Sequence, residues 1–339
     1  MNDALWNWIN ERHAIYIRKS LREGKSSVSL FPNADVASNY LDEFLWASKG
    51  YPDGKGTHAA FSDDPILQQY RFCNVFRELD RVTAWIRFNI RRKWADHPNL
   101  WIMLAIARTI NWPDTLQFLI DSQYAWPDNQ DWKPEYLTRA LEYYAKQGNK
   151  VYTGAYMIRA ESDPKKEWYS WSKHRYIAEI VIGRLWEDRT EFQEYLERPP
   201  EVDSLTGVTP TLHGAWSMFQ QPRYIGWGPF MAYQVVVDMR WTRYLENAPD
   251  INRWAALGPG SRRGLNRLAG RPVDYPLKQE DGLEEMRALW AEQDRRRAPW
   301  VPPIDLSDIQ NALCETDKYL RVKNGEGKPR ALYHPGRGY

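Results

Sequence analysis

The sequence predicts an all-α protein with little or no sheet. Three observations carry that expectation. Apolar residues recur at three- and four-residue spacing along most of the chain, and proline, glycine and capping residues bracket those runs. Two-residue alternation closed by hairpin turns is missing. Of 339 residues, 43% are hydrophobic and 27% charged, which is ordinary for a globular chain and too apolar for general disorder.

Taken in order, Ala4–Arg22 spaces Leu5, Trp8, Ile9, Ile15 and Ile17 as one helical face, and Gly24 ends it. Residues 50–65 are rich in Gly, Pro and Asp and read as a loop; Asp63 or Asp64 suits the cap of the next helix, with Pro65 in its first turn. A long helix is expected over Ile66–Lys93, from the repeat of Leu67, Tyr70, Val75, Leu79, Val82 and Ile86. Leu100–Ile110 is short and mostly apolar, a buried helix. Asp114–Gln123 and Pro134–Gln147 follow, and Val151–Ile158 is the best strand candidate. Trp168–Phe192 and Pro229–Tyr244 continue the helical pattern, and Glu280–Arg297 reads as a charged, solvated helix. Pro299–Pro303 is extended, Leu306–Val322 is a last amphipathic helix capped by Asp305 or Ser307, and Asn324–Tyr339 is a tail. The expected division is an amino-terminal helical extension over 1–65, a main helical domain over 66–323 and the tail over 324–339.

Composition narrows the function classes. Forty-six Lys and Arg against 44 Asp and Glu leave a net charge of +2, so any site for a polyanion is a local patch. Two cysteines, Cys73 and Cys314, are too few for a disulfide framework or a cysteine-built zinc site. The six histidines show no pair at ligand spacing, so no metal and no cofactor are expected. The apolar runs fall short of the ~18–20 residues that span a bilayer, and Met1–Glu11 has no signal-peptide pattern; a cytoplasmic protein is expected. Eighteen Trp and 20 Tyr are the unusual numbers; most must fill core, while a few are free to stack on bases.

Several segments carry candidate chemistry. Gly24-Lys25-Ser26 resembles the end of a phosphate-binding loop, but the first glycine of G-x-x-x-x-G-K-[ST] is Lys19 here, so it reads as a helix end. Two glycine clusters stand out: Gly226-Trp227-Gly228-Pro229, running on through Tyr233 and Gln234 to Asp238, and Gly258-Pro259-Gly260 followed by Arg262 and Arg263. Each is a glycine turn opening a helix, the shape of a helix-hairpin-helix phosphate site, or else a plain interhelical turn. Asn74, Arg77 and Arg81 fall on one face of the expected long helix, as a phosphate-facing row or a solvated ion-pair face. Glu315, Asp317 and Lys318 crowd one turn of the last helix. Asp238 sits in an apolar run, where a carboxylate must be paired or functional; Arg240 or Arg243 is the nearby neutraliser.

These same segments carry a resemblance. Tyr70-Arg71-Phe72-Cys73-Asn74-Val75-Phe76-Arg77-Glu78-Leu79-Asp80-Arg81 resembles the F-x-N-V-x-R-x-x-D-R signature of the amino acid:DNA transferases, also called alpha-glutamyl/putrescinyl thymine pyrophosphorylases. Their domain is also the helical domain of 5-hydroxymethyl-deoxyuridine DNA kinases. The two glycine clusters look like that family's later motifs, and Cys314-Glu315-Thr316-Asp317-Lys318-Tyr319 like its closing one, so the likeness runs from about Ile66 to Arg330.

The resemblance implies a fold related to helix-hairpin-helix DNA glycosylases and a part in thymidine hypermodification of bacteriophage DNA. The substrate implied is double-stranded DNA carrying phosphorylated 5-hydroxymethyluracil, made by a companion 5-hmdU DNA kinase. The (pyro)phosphate is replaced by an amine, from an amino acid such as glycine or from a polyamine, in the host cytoplasm if the chain is phage-encoded. The missing phosphate-binding loop favours transferase over kinase. Such chemistry needs a flipped base, cations for the departing phosphate and a carboxylate for the amine. Asp238 or Asp317, with Glu315, is the expected carboxylate. Lys318, Arg77 and Arg81 suit the phosphate, Arg262 and Arg263 the DNA backbone, and the glycine turns the strand. The alternatives are a glycosylase acting on a modified base and a non-catalytic DNA-binding partner of the kinase.

Overall fold

Helices built on the predicted apolar faces dominate the computed structural model, which describes residues 3–24, 61–154, 158–198, 209–327 and 332. Among these, β-pairing is confined to an isolated antiparallel bridge between Tyr70 and Leu332. The chain divides into two units, residues 1–81 with 252–339, and residues 82–251.

The spine of the first unit is the helix Leu306–Lys323. It opens with a capping box, Asp305 taking a backbone N–H of the first turn while Asp308 takes the N–H of Asp305, so both otherwise orphan donors are satisfied. The helix Pro259–Leu268 crosses it at close range. A Cβ on Gly264 would lie 2.4 Å from the Leu313 carbonyl oxygen, and one on Gly260 would lie 2.8 Å from Cys314 Sγ. Only side chains this small allow that approach. The helix Asp3–Arg22 buries Leu5, Trp8, Ile9, Ile15 and Ile17, the expected stripe, and Gly24 closes it with φ +68°. Lys25 and Ser26 lie outside the described residues. The expected Glu280–Arg297 helix is divided into Gln279–Ala291 and Gln293–Arg296. The expected tail begins as a turn over 324–327 after the last helix; residues 328–331 and 333–339 are outside the described set.

One expectation fails plainly. Ile66–Lys93 is not a single helix: Pro65–Gln69 is one turn, residues 70–76 run extended, Arg77–Leu79 is a tight turn, and helix resumes at Arg81–Ile86 before a wide π-helical turn at Arg87–Arg91. Asp64 caps the first turn, accepting from the N–H groups of Ile66 and Leu67 at 2.8 and 3.1 Å. Beyond it, side chains take the backbone bonds a helix would have made locally. The Asn74 N–H donates to Asp80 (2.8 Å), the Asn74 side chain donates to the Leu79 carbonyl (2.8 Å), and the Cys73 N–H donates to Glu315 (3.1 Å). Phe72, Val75, Phe76 and Leu79 are still buried, but from an irregular segment.

In the second unit, every residue of the helix Leu100–Ile110 is buried, and Asn111 ends it in the left-handed conformation at φ +48°. Pro113–Asp121 and Pro134–Lys146 each start with proline in the first turn, as expected. The Trp168–Phe192 expectation resolves into a helical run over 173–187 that includes a π-helical stretch, Tyr176–Ile182, and a separate helix Arg189–Leu196. The Val151–Ile158 strand is not formed: the described part is irregular, with the Thr153 N–H donating to the Ile110 carbonyl (3.1 Å), and residues 155–157 lie outside the described set. The helix Pro229–Met239 stops short of Tyr244, where tight turns take over; the first of these hydrogen bonds Trp241 and Thr242 back to Asp238 and Met239.

Candidate functional site

The segment 73–80 and the C-terminal helix are fastened by three polar contacts on one helical face. Asp308, Asn311 and Glu315 stand three and four residues apart, and each meets the main chain opposite. Asp308 accepts from the Arg77 N–H (3.4 Å), Asn311 donates to the Asn74 carbonyl (3.0 Å), and Glu315 accepts from the Cys73 N–H (3.1 Å). Asn74 and Asp80 close the loop on itself as described above. The row Asn74, Arg77, Arg81 expected on one helical face therefore does not share a helix: Asn74 lies in the irregular segment and is buried, Arg77 is buried in the tight turn, and Arg81, exposed, begins the next helix. Burial pushes the Asp80 carboxyl up to about 6, against the pull of the Asn74 N–H, Arg12 and Arg77.

Glu315 is nearly closed off from solvent, with its side chain 3% exposed, yet it holds Lys318, whose side chain is 42% exposed. Its second oxygen is the one bonded to Cys73. Burial works against the ammonium charge, but Glu315 outweighs it and holds the lysine protonated above its ordinary range. Both cysteine thiols are pushed up by burial and by Glu315, Cys314 to about 12, which keeps them protonated and unreactive.

On the neighbouring face of the same helix, Asp317 bridges two arginines of the crossing helix, Arg263 at 3.1 Å and Arg267 at 2.7 Å. Arg267 also reaches Glu326 just beyond the helix end, at 2.5 Å. Arg263, 41% exposed, carries this network to the surface, with Arg262 half-buried beside it. Gly258 caps that crossing helix in an extended conformation (φ −81°, ψ 168°), followed by Pro259 and with no side-chain cap. The strand of chain before it is clamped by Gln279, which bonds both the Leu257 N–H (2.8 Å) and the Ala255 carbonyl (2.9 Å).

The second unit repeats the local design. Gly228 caps the helix Pro229–Met239 at φ −63° and ψ 168°, again followed by proline and without a side-chain cap. Gly226 turns the chain at φ +87°, and Trp227 anchors the turn by donating its indole N–H to the Val181 carbonyl (2.9 Å). Tyr233 and Gln234 are buried within that helix. Asp238 is paired, but not with Arg240 or Arg243. Arg108 of the buried helix grips both of its oxygens, Nε to Oδ2 at 2.5 Å and Nη2 to Oδ1 at 2.6 Å, and spends its other donors on Thr83 (2.9 Å) and Asn111 (3.3 Å). Arg243 instead bonds the Ala95 carbonyl and Glu197.

Arg108, Asp308, Asn311 and Arg267 are residues that sequence reasoning passed over. Arg108 carried a usable signal: it is a lone cation in the apolar run Leu100–Ile110, the mirror of lone Asp238. Among the described residues no group of three or more His, Cys, Asp or Glu is arranged to hold a metal ion, and no helix is long and apolar enough to cross a membrane.

A helical protein whose first unit gathers three of its motifs around a carboxylate-bearing helix is the class this geometry defines. A profile of the family described as 5-hmdU DNA kinase, helical domain, matches residues 54–329, and the chain belongs to that family. It is 24% identical over 300 residues to a 5-hmdU DNA kinase of Bacillus phage SP10, an alignment covering 78% of this chain and 41% of the kinase. The chain thus spans about two-fifths of that relative's length. No solved structure matches it.

Proposed function

We propose that the chain is a DNA-modifying transferase of phage thymidine hypermodification, replacing the (pyro)phosphate on 5-(phospho)methyl-deoxyuridine with the amine of an amino acid or polyamine. The observation that carries this reading is the segment like the family's closing motif standing as a buried carboxylate, Glu315, that holds Lys318, whose side chain is 42% exposed. Displacement breaks the bond from the 5-methylene carbon to the phosphate oxygen. The phosphate leaves with the electron pair, the uracil ring stabilises the methide, and the amine adds to the methylene carbon and gives up a proton. Lys318 and Arg263 meet the departing phosphate; Glu315 takes the proton; Asp317 holds Arg263 and Arg267 in position. Arg262, Arg81 and the uncapped N–H groups behind Gly228 and Gly258 suit DNA phosphates. Asp238, sealed in the core with an Arg108 that is itself 2% exposed, acts in holding its helix rather than in proton transfer.

The kinase relationship supports a second reading, that of a DNA-binding partner for a separate kinase, because the match covers only part of such an enzyme. One experiment separates them. The full chain is incubated with duplex DNA carrying phosphorylated 5-hydroxymethyluracil and a pool of amines, and the nucleosides are analysed by mass spectrometry. An amine-bearing nucleoside is expected, and Lys318→Met should cut its formation about 100-fold, with circular dichroism checking that the variant, which leaves buried Glu315 without its counter-charge, is folded. Abasic sites would assign a glycosylase, ATP-dependent phosphorylation a kinase, and DNA binding without any new nucleoside the partner role; each overturns the transferase reading.

A further inference from the structure

The second unit carries a surface that none of the residues above explains. Over Arg87–Trp94 the sequence holds four cations, of which Arg91 is buried, two aromatic residues and no acid. The π-helical turn Arg87–Arg91 buries Ile90 and turns Phe88 outward, 51% exposed. Two guanidinium groups lie over that one ring, Arg87 at 4.8 Å and Arg92 at 4.5 Å from its centre. Lys93 is exposed and lies 4.3 Å from the centre of the Trp94 ring, which in turn packs against Trp126 at 5.7 Å. Among the described residues, neither Arg92 nor Lys93 has a carboxylate within ion-pair distance.

A phenyl ring in water is unfavourable, and a ring surrounded by cations makes a poor seat for a protein, which wants contiguous apolar surface. Nucleic acid satisfies both halves at once: phosphates take the cations and an opened base step takes the ring. Inserted π-helical turns are also a frequent mark of functional segments. We propose that Arg87–Lys93 is a DNA-contacting knob, in which Phe88 stacks on or between bases while Arg92 and Lys93 hold the flanking phosphates. The proposal rests on the DNA-processing reading above and adds a binding surface to it.

The test is duplex-DNA binding by the full chain across a salt series, for the wild type, Phe88→Ala and the Arg92→Gln/Lys93→Gln double variant, with polyglutamate as a control polyanion. All three positions are exposed, and circular dichroism checks that each variant is folded. The double variant should flatten the salt slope by about 2, one unit for each phosphate no longer neutralised. Phe88→Ala should weaken binding about 10-fold with the slope unchanged, and Phe88→Trp should restore it. Wild-type affinity and slope in both variants would overturn the knob while leaving DNA binding intact. Equal losses on polyglutamate would assign the surface to an acidic protein and overturn it too. A wild type that binds DNA in this way but forms no amine-bearing nucleoside would sink the transferase reading alone.

Discussion

The helices that begin at Gly228-Pro229 and Gly258-Pro259 share a local design and serve opposite ends. Both open with an extended glycine cap, a proline in the first turn and no side-chain cap. The first then disappears into its unit: residues 231–239 are all buried, and its one charge is closed in a two-pronged pair whose members are 2% and 1% exposed. The second lies across the C-terminal helix with Arg267 buried at 5% exposure and Arg263 at 41%, so its ion pair with Asp317 ends in a guanidinium at the surface. The difference teaches that helix starts are written locally, while the use made of each helix depends on what packs against it. A charge pair sealed from water specifies structure; a sealed carboxylate with a solvent-reaching cation is placed to meet a ligand.

The sealed pair offers the hardest break. Asp238→Asn leaves the Arg108 charge uncompensated in the core, and unfolding by urea should show a loss of about 3–5 kcal/mol. Replacing both partners by Arg108→Met and Asp238→Leu should recover much of that. A single-variant loss below about 1 kcal/mol would mean the pair is not sealed.

The glycines sharpen the contrast at a lower cost. Gly264→Ala must push apart two helices, since its Cβ would sit 2.4 Å from a backbone oxygen, and about 2 kcal/mol of destabilisation is expected. Gly228→Ala meets nothing within 4 Å at a φ that alanine tolerates, so its cost should stay below about 1 kcal/mol, the scale of a weakened cap.

Acid gives a graded test, and it falls on the first unit. His13 is fully buried against the edge of Phe76, 5.1 Å away, and burial depresses its pKa to about 3, with Arg12 adding to the effect. Below pH 6.5 the unfolded chain therefore takes up a proton that the folded chain refuses, so stability falls as the pH drops from 6.5 toward 3, by at most about 1.4 kcal/mol per pH unit. Asp80 works in the opposite sense: raised to about 6, it holds a proton in the folded chain that the unfolded one has lost above 3.8. Asp80 is half-buried, so the histidine should dominate. Thermal melts of His13→Phe against the parent should show the acid limb flattened; parallel curves would remove His13 from the account.

The sequence by itself determined the all-α class, the buried helix Leu100–Ile110, the amphipathic face of Asp3–Arg22 and the two glycine-proline helix starts, and it narrowed two helix caps to Asp63 or Asp64 and to Asp305 or Ser307. Each of those rests on side chains bonding or packing within a few residues of themselves, and local order in the chain records that. It also marked Asp238, Glu315, Asp317 and Lys318 as charges needing an account. Only the tertiary structure decided the partners of Asp238 and Asp317 and gave Glu315 its second one, Cys73. The reach from Arg108 to Asp238 spans 130 positions and that from Cys73 to Glu315 spans 242, so no spacing rule connects them. For the same reason Ile66–Lys93 misled: its apolar residues keep helical spacing and do end up buried, but distant carboxylates offered the backbone better bonds than the helix did.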